Sequence, residues 1–395
     1  MSALPPLLLP ALAFLLPLAA LSGWYYGRRS SERSRRAGVS ELSSSYFRGL
    51  NYLLNEQPDK AIEVFLKLAE FNRDTVETHL ALGNLFRRRG EVDRAIRVHQ
   101  HLIARPNLNN EEKTVALLEL GEDYMRAGLL DRAETLFSDL VAMDAHVPSA
   151  LRHLIGIYQH EKDWNKAIDH ARRLEKITGE SEGPTIAQFH CELSEQVRAA
   201  RDFSAAHAHL ENAFVCQPEC VRAYIVLGHL EMQQGNLEAA AQAFERVATL
   251  DVDFVPEVLT PLLDCYARLG QMQHAERFLV DIIERSQGVS PVIALAKLYS
   301  GTRGEAAAIE FLTRQLRQRP SVRGLMTLIG ASLDHSRGDA RENLLILQDL
   351  TRKLIEGQAM YRCSKCGFGA KAHHWQCPSC KTWGSVRPIH GVAGE

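Results

Sequence analysis

The sequence predicts an all-α chain: a stack of helix pairs, preceded by a membrane-crossing helix and followed by a small metal-bound knuckle. Three observations predict it. The first residues form a long stretch without charge, small residues recur about every 34 positions through the middle, and two Cys-x-x-Cys pairs stand beyond them.

The charge-free stretch runs from Leu4 to Tyr26. Rising about 1.5 Å per residue as a helix, it would reach about 34 Å, enough to cross a hydrocarbon core of ~30 Å. Pro5, Pro6 and Pro10 crowd its start and Pro17 should kink it. Trp24, Tyr25 and Tyr26 sit where an aromatic belt belongs. Arg28, Arg29, Arg33, Arg35 and Arg36 follow, against a lone Glu32; they should hold that side in the cytoplasm and attract anionic headgroups. A cleaved signal peptide carries its cations ahead of the apolar run, so this one reads as an uncleaved single-pass anchor with its N-terminus in the periplasm. The expected division is an anchor over 1–27, a basic juxtamembrane linker over 28–41, helical repeats over 42–357 and a knuckle over 358–390.

The repeats show in three aligned segments starting at Gly49, Gly83 and Gly121. Each has an aromatic three residues on (Tyr52, Phe86, Tyr124) and alanine twelve residues on (Ala61, Ala95, Ala133). The alanine register continues at Ala167, Ala206, Ala240, Ala275 and Ala308, with steps of 34, 38, 34, 39, 34, 35 and 33. This is the tetratricopeptide pattern: two antiparallel helices per unit, small residues where they approach, and stacking into a superhelix because no pair buries its own face. The residue four after the alanine (Phe65, Phe137, Leu210, Phe244) should fill the gap to the next pair. The longer steps place extended loops around 106–112 and 179–185. Some eight units fit 42–320, and 321–357 reads as one more pair. The usual tryptophan of the first helix is absent, and the usual terminal proline appears only at Pro218 and Pro320.

The knuckle rests on Cys363, Cys366, Cys377 and Cys380. Two tight turns bearing four thiolates can surround one ion tetrahedrally, and both zinc and iron accept four sulfurs. Gly367 suits a backbone with positive φ, and Pro378 fixes the second turn. Arg362, Lys365, Lys371, Lys381 and Arg387 can offset the site's negative charge, and Tyr361, Phe368, Trp375 and Trp383 can wrap the sulfurs. His373 and His374 read as loop residues, the ligand shell being full. So short a segment needs a metal to fold. The remaining four cysteines, Cys191, Cys216, Cys220 and Cys265, read as structural thiols, with Pro218 marking a helix end between the middle two.

Composition excludes several functions. A net charge of −2 gives no pull toward nucleic acid. Phosphate-loop, dinucleotide, Gly-x-Ser-x-Gly and His-Glu-x-x-His signatures are absent, which argues against an enzyme. Arg87-Arg88-Arg89 reads as a solvated turn, and His99, His101, His207 and His209 as packed or solvent-facing side chains. Repeat surfaces of this kind hold other proteins, and they also admit a homo-oligomer. Two competing readings are an electron carrier built on an iron–sulfur knuckle and a general co-chaperone.

Taken together, GWYYGRR, HLALGNLFRRRGEVDRAIRVHQ, YRCSKCGF and WQCPSCKTW resemble the lipopolysaccharide assembly protein B family along nearly the whole chain. The resemblance implies a rubredoxin-type knuckle with Cys363, Cys366, Cys377 and Cys380 as ligands. It also implies an inner-membrane regulator of lipopolysaccharide level that works with the membrane protease FtsH to degrade the deacetylase LpxC and couples synthesis to export. On this reading the knuckle closes the open end of the helix stack and shields its last apolar face.

Overall fold

A computed structural model describes residues 47–49, 51–52, 55, 57–71, 76–392 and 394–395. The anchor and linker expected over 1–41 lie outside the described residues. Among the described residues no helix is long and apolar enough to cross a membrane. The chain divides into two compact units at 157/158.

In the first unit the helices Val76–Arg88 and Val92–Ile103 pack as one antiparallel pair, and Asn110–Arg126 and Leu130–Ala142 as another. In the second unit the pairs are Gly183–Ala199 with Phe203–Cys216, Val221–Gln234 with Leu237–Leu250, Val255–Leu269 with Met272–Arg285, Ser290–Arg303 with Glu305–Gln318, and Val322–Leu333 with Asp339–Ile355. The last is the extra pair expected over 321–357.

The alanine register is buried throughout: Ala61 to Ala275 are fully inaccessible and Ala308 nearly so. The glycine register explains how closely the helices approach. A Cβ on Gly49, Gly121 or Gly228 would stand 2.7, 2.6 or 2.4 Å from the ring of Phe65, Phe137 or Phe244. In these three pairs the aromatic four after the alanine therefore packs first onto the glycine of its own pair. Phe137 also meets the next helix, stacking on His153 at 4.6 Å. In the second repeat the aromatic is His99, fully buried against Gly83, with Nδ1 2.5 Å from Asp123 Oδ2.

Two expectations are corrected. The longer repeat steps are not taken up by loops alone: Asn110–Arg126 and Gly183–Ala199 are 17 residues long, against 12 to 15 for the other helices before 320. Extra residues give an added helical turn, started at Asn109 by a reciprocal capping box with Glu112. Nor is the arginine run wholly solvated. Arg88 and Arg89 are exposed, but Arg87 turns inward to Glu119, Glu122 and Asp123 at 2.6, 2.8 and 2.7 Å.

Cys216 ends one helix and Cys220 precedes the next, as Pro218 implied. The position five before the alanine takes left-handed backbone in the six repeats from Ala95 to Ala275. Glycine fills it at Gly90, Gly128, Gly235 and Gly270, but Lys162 and Arg201 hold it at φ of 60° and 63°.

Candidate metal centre and its seat on the repeats

The knuckle begins as a three-stranded antiparallel sheet, ordered β2-β1-β3, with β1 Tyr361–Cys363, β2 Gly369–Ala370 and β3 Val386–Pro388. Cys363 pairs with Val386 and Tyr361 with Pro388. The two Cys-x-x-Cys turns repeat one local design. The amide four after the first cysteine donates to that cysteine's carbonyl, Gly367 to Cys363 at 3.0 Å and Lys381 to Cys377 at 2.9 Å. The cysteine's own amide donates to the carbonyl five on, at Phe368 and Thr382. Both turns require positive φ at their fourth step, met by Gly367 at 78° and Lys381 at 58°. Residues 365–366 and 379–380 thereby aim their amides at the sulfurs of Cys363 and Cys377.

All four Sγ atoms lie within 4.8 Å of one another. Cys363 and Cys380 are 3.6 Å apart, and Cys366 and Cys377 3.7 Å. A tetrahedral S₄ site with metal–sulfur bonds of about 2.3 Å has edges of about 3.8 Å, close to these two separations, so the four donors suit one such ion. The hydroxyls complete the fit. Ser385 Oγ is 3.3 Å from Cys363 and Thr382 Oγ1 3.3 Å from Cys380, where each can donate to a thiolate. The Ser385 hydroxyl and the amides of Cys366 and Lys365 hold the Cys363 thiol down at about 6, while burial pushes Cys377 up to about 11. The Thr382 hydroxyl and amide lower Cys380. A cation among the sulfurs would bring all four to the thiolate form.

The surroundings of the sulfurs divide the expected aromatic wrap in two. Tyr361 and Phe368 pack around Cys363, Cys377 and Val386. Trp375 and Trp383 instead face the repeats. Trp375 stacks on Phe254 at 5.2 Å, and Trp383 meets Trp164 and Phe189 edge-on at 6.2 and 6.1 Å. Between the indoles stands Arg222, 3% exposed, its guanidinium 5.6 Å from each ring. It is paired with Glu192 at 2.8 Å and with Glu195. A cation between two desolvated indoles contributes on the order of 2 kcal/mol, and each aromatic pair about 0.5–1.5 kcal/mol.

Polar contacts frame this seat. Gln159 Oε1 accepts from Gln376 Nε2 at 2.8 Å and from Trp383 Nε1 at 3.0 Å. Tyr361 Oη donates to Glu257 at 2.5 Å. Arg387, expected near the sulfurs, pairs with Asp251 and covers Phe254 at 4.7 Å. His373 is no ligand. It lies edge-on to Tyr361, Phe254 and Trp375, and burial holds its imidazole down at about 4. His374 is exposed.

The knuckle therefore seats on the second unit's helices between Gln159 and Glu257, not on its last pair. The last helix keeps Leu347, Leu350 and Leu354 at least half exposed, which overturns the expected capping role. Sequence reasoning found the four sulfurs. It missed the seat, because Gln159, Phe189, Arg222 and Phe254 come from four different helical segments with no local motif.

The profile described as rubredoxin metal binding domain matches residues 361–388. Tetratricopeptide repeat profiles match 78–111, 118–182 and 196–251, and a PPR repeat profile matches 258–286. Lipopolysaccharide assembly protein B of Escherichia coli strain K12 is 39% identical over 388 residues, covering 98% of this chain and 100% of its own. The protein of that name from Haemophilus influenzae is 36% identical over 387 residues, 96% of this chain and 98% of its own. Among solved structures, the tetratricopeptide protein YrrB aligns with 48% of this chain and 93% of its own at 15% identity and a TM-score of 0.35.

Proposed function

We infer, for a chain that belongs to the lipopolysaccharide assembly protein B family, an adaptor role in lipopolysaccharide assembly, in which the repeats bring other proteins together and the chain catalyses nothing itself. The observation that carries this reading is the direction of the knuckle's side chains. Trp375, Trp383, Tyr361 and Arg387 all turn to the repeat helices, so the S₄ site acts as a staple that fixes a composite protein surface. Cys363, Cys366, Cys377 and Cys380 would hold one zinc or iron ion, whose chemistry here is cross-linking alone.

The finer reading places the chain in the inner membrane as a single-pass protein, its N-terminus periplasmic and its bulk cytoplasmic. The uncharged segment 4–26 and the arginines after it support this. The partners are FtsH, LpxC and proteins of lipopolysaccharide synthesis and export. Confinement to the membrane plane raises the effective concentration of substrate at the protease, to the millimolar range for a short tether. The test is crosslinking in cells, membrane solubilisation and mass spectrometry of what copurifies. FtsH and LpxC should be recovered, and LpxC should accumulate when the chain is deleted. Unchanged LpxC turnover, or turnover of a small substrate by the purified chain, would overturn the reading.

A further inference from the structure

Beyond the knuckle's seat, the second unit has a groove between the Val255–Leu269 and Ser290–Arg303 helices. Its volume is about 520 Å³. Leu259, Leu263, Ile293 and Leu298 line it, and the two cations Lys297 and Arg323 stand in its wall. Apolar walls with a few charged groups set among them match an extended peptide, whose side chains fill the groove while polar groups fix its register.

One carboxylate is already at the edge of this groove. Glu395, 6% exposed, pairs with Arg323 through one oxygen, and its other oxygen accepts from the Ser290 amide at 2.9 Å. The segment carrying it runs over the neighbouring helix, where the Val322 amide donates to the Val392 carbonyl at 2.8 Å. It starts from the knuckle, with the Ile389 amide bonded to the Met360 carbonyl at 2.8 Å. The segment brings a carboxylate to one cation but no side chain among the groove-lining residues. Lys297 is exposed and has no ion-pair partner among the described residues. The charge pattern is thus half neutralised from within the chain, and the apolar wall is left open.

We propose that this groove takes an extended acidic–apolar segment of a partner protein, whose carboxylates meet Lys297 and, in place of Glu395, Arg323. Glu395 is then an intramolecular stand-in that competes with the partner, and the metal knuckle sets the position from which it competes. The proposal rests on the adaptor reading and names the chemistry its surface selects.

The probe is a fluorescein-labelled peptide of eight alternating leucines and glutamates, with its leucine–glutamine counterpart as control. Anisotropy is read on the metal-loaded full-length chain in detergent. The glutamate peptide should bind, and the glutamine peptide at least tenfold more weakly. Glu395→Gln should tighten binding about tenfold by freeing Arg323, and Lys297→Glu should weaken it at least tenfold. Lys297 is a surface residue, so its variant folds irrespective of the tail. Equal affinity for the two peptides, or no response to either substitution, would overturn the proposal. So would concentration-dependent dimers of the Glu395→Gln chain without peptide binding, since the occupant would then be a second copy. Peptide binding in a chain that recovers neither FtsH nor LpxC from cells would retain the groove and remove only those partners.

Discussion

Arg87 in the first unit and Arg222 in the second are both inward-turned arginines among glutamates, yet they do different work. Arg87 meets three carboxylates, all from the Asn110–Arg126 helix, and its network ends at His99 within the repeats. It joins one repeat to the next. Arg222 meets two carboxylates from the Gly183–Ala199 helix and sets its guanidinium carbon 5.6 Å from each of two indoles of the knuckle. The same side chain thus serves as mortar in one place and as a receptor for another domain in the other. The difference lies in the surrounding acids: three carboxylates enclose Arg87, whereas two leave a face of Arg222 for aromatic contact.

The strongest way to break this comparison is to remove what Arg222 receives. Chelation, or Cys363→Ser with Cys366→Ser, takes away binding free energy worth roughly 10–16 kcal/mol in small zinc peptides. The knuckle should unfold while the helices persist, because their Gly–Phe contacts lie elsewhere. Trp164, Trp375 and Trp383 all stand at the seat, so tryptophan emission should shift to the red with little loss of helical circular dichroism. Full metal content in the double variant would show that the ligands are wrongly assigned.

Next in size is the direct contrast of Arg222→Met with Arg87→Met. Arg87→Met strands the fully buried Asp123 carboxylate and should cost about 3–5 kcal/mol, read by urea unfolding, whereas Arg222→Met should cost less, because Glu192 and Glu195 keep contact with water. The variants should differ in the emission signal before unfolding. Arg222→Met releases the indoles, whereas Arg87→Met leaves them seated. Identical spectra from both would erase the distinction.

A smaller effect sharpens the seat itself. Burial among Tyr361, Phe254 and Trp375 keeps His373 neutral down to about pH 4. Released into water, the same imidazole takes a proton from about pH 6.5 downward. Release therefore takes up a proton, and the seat weakens as pH falls from about 6.5 to about 4, while above that window His373 contributes its full packing. His373→Phe should flatten this part of the emission profile. An unchanged slope would assign the acid sensitivity to other groups.

How much of this was legible in the sequence depends on whether a feature is local. The alanine and glycine registers and the Cys-x-x-Cys spacing are local, and the structure brings each together: Ala61 through Ala308 buried, Gly49, Gly121 and Gly228 against their aromatics, four sulfurs within 4.8 Å of one another. The role of Trp375 and Trp383 was not local. Aromatics beside cysteines read as a wrap around the sulfurs, but an indole goes where apolar surface and a cation await it, and Arg222 is more than 150 positions away. Arg87 misled for the same reason. Its run of three reads as solvent-facing until the next repeat supplies Glu119, Glu122 and Asp123. The last helix misled in the other direction, its leucines reading as a face for the knuckle to cover when the knuckle's own side chains fit Phe254 and Trp164 instead.

The finest comparison is between the two cysteine turns, which share hydrogen bonds and backbone but not sequence. Gly367 occupies the left-handed position of the first turn without penalty, while Lys381 holds the same position in the second at φ 58°. A side chain in that conformation costs about 1–2 kcal/mol, part of which glycine returns through its greater freedom when unfolded. Lys381→Gly should therefore stabilise the metal-loaded knuckle by about 1 kcal/mol or less, seen as slower metal loss to a competing chelator. The reciprocal Gly367→Lys should speed that loss, because it gives the first turn the same left-handed side chain that Lys381 places in the second. If both substitutions left the loss rate unchanged, the metal would be imposing the turn geometry by itself, and the shared backbone pattern would be a consequence of the four sulfurs and not a preparation for them.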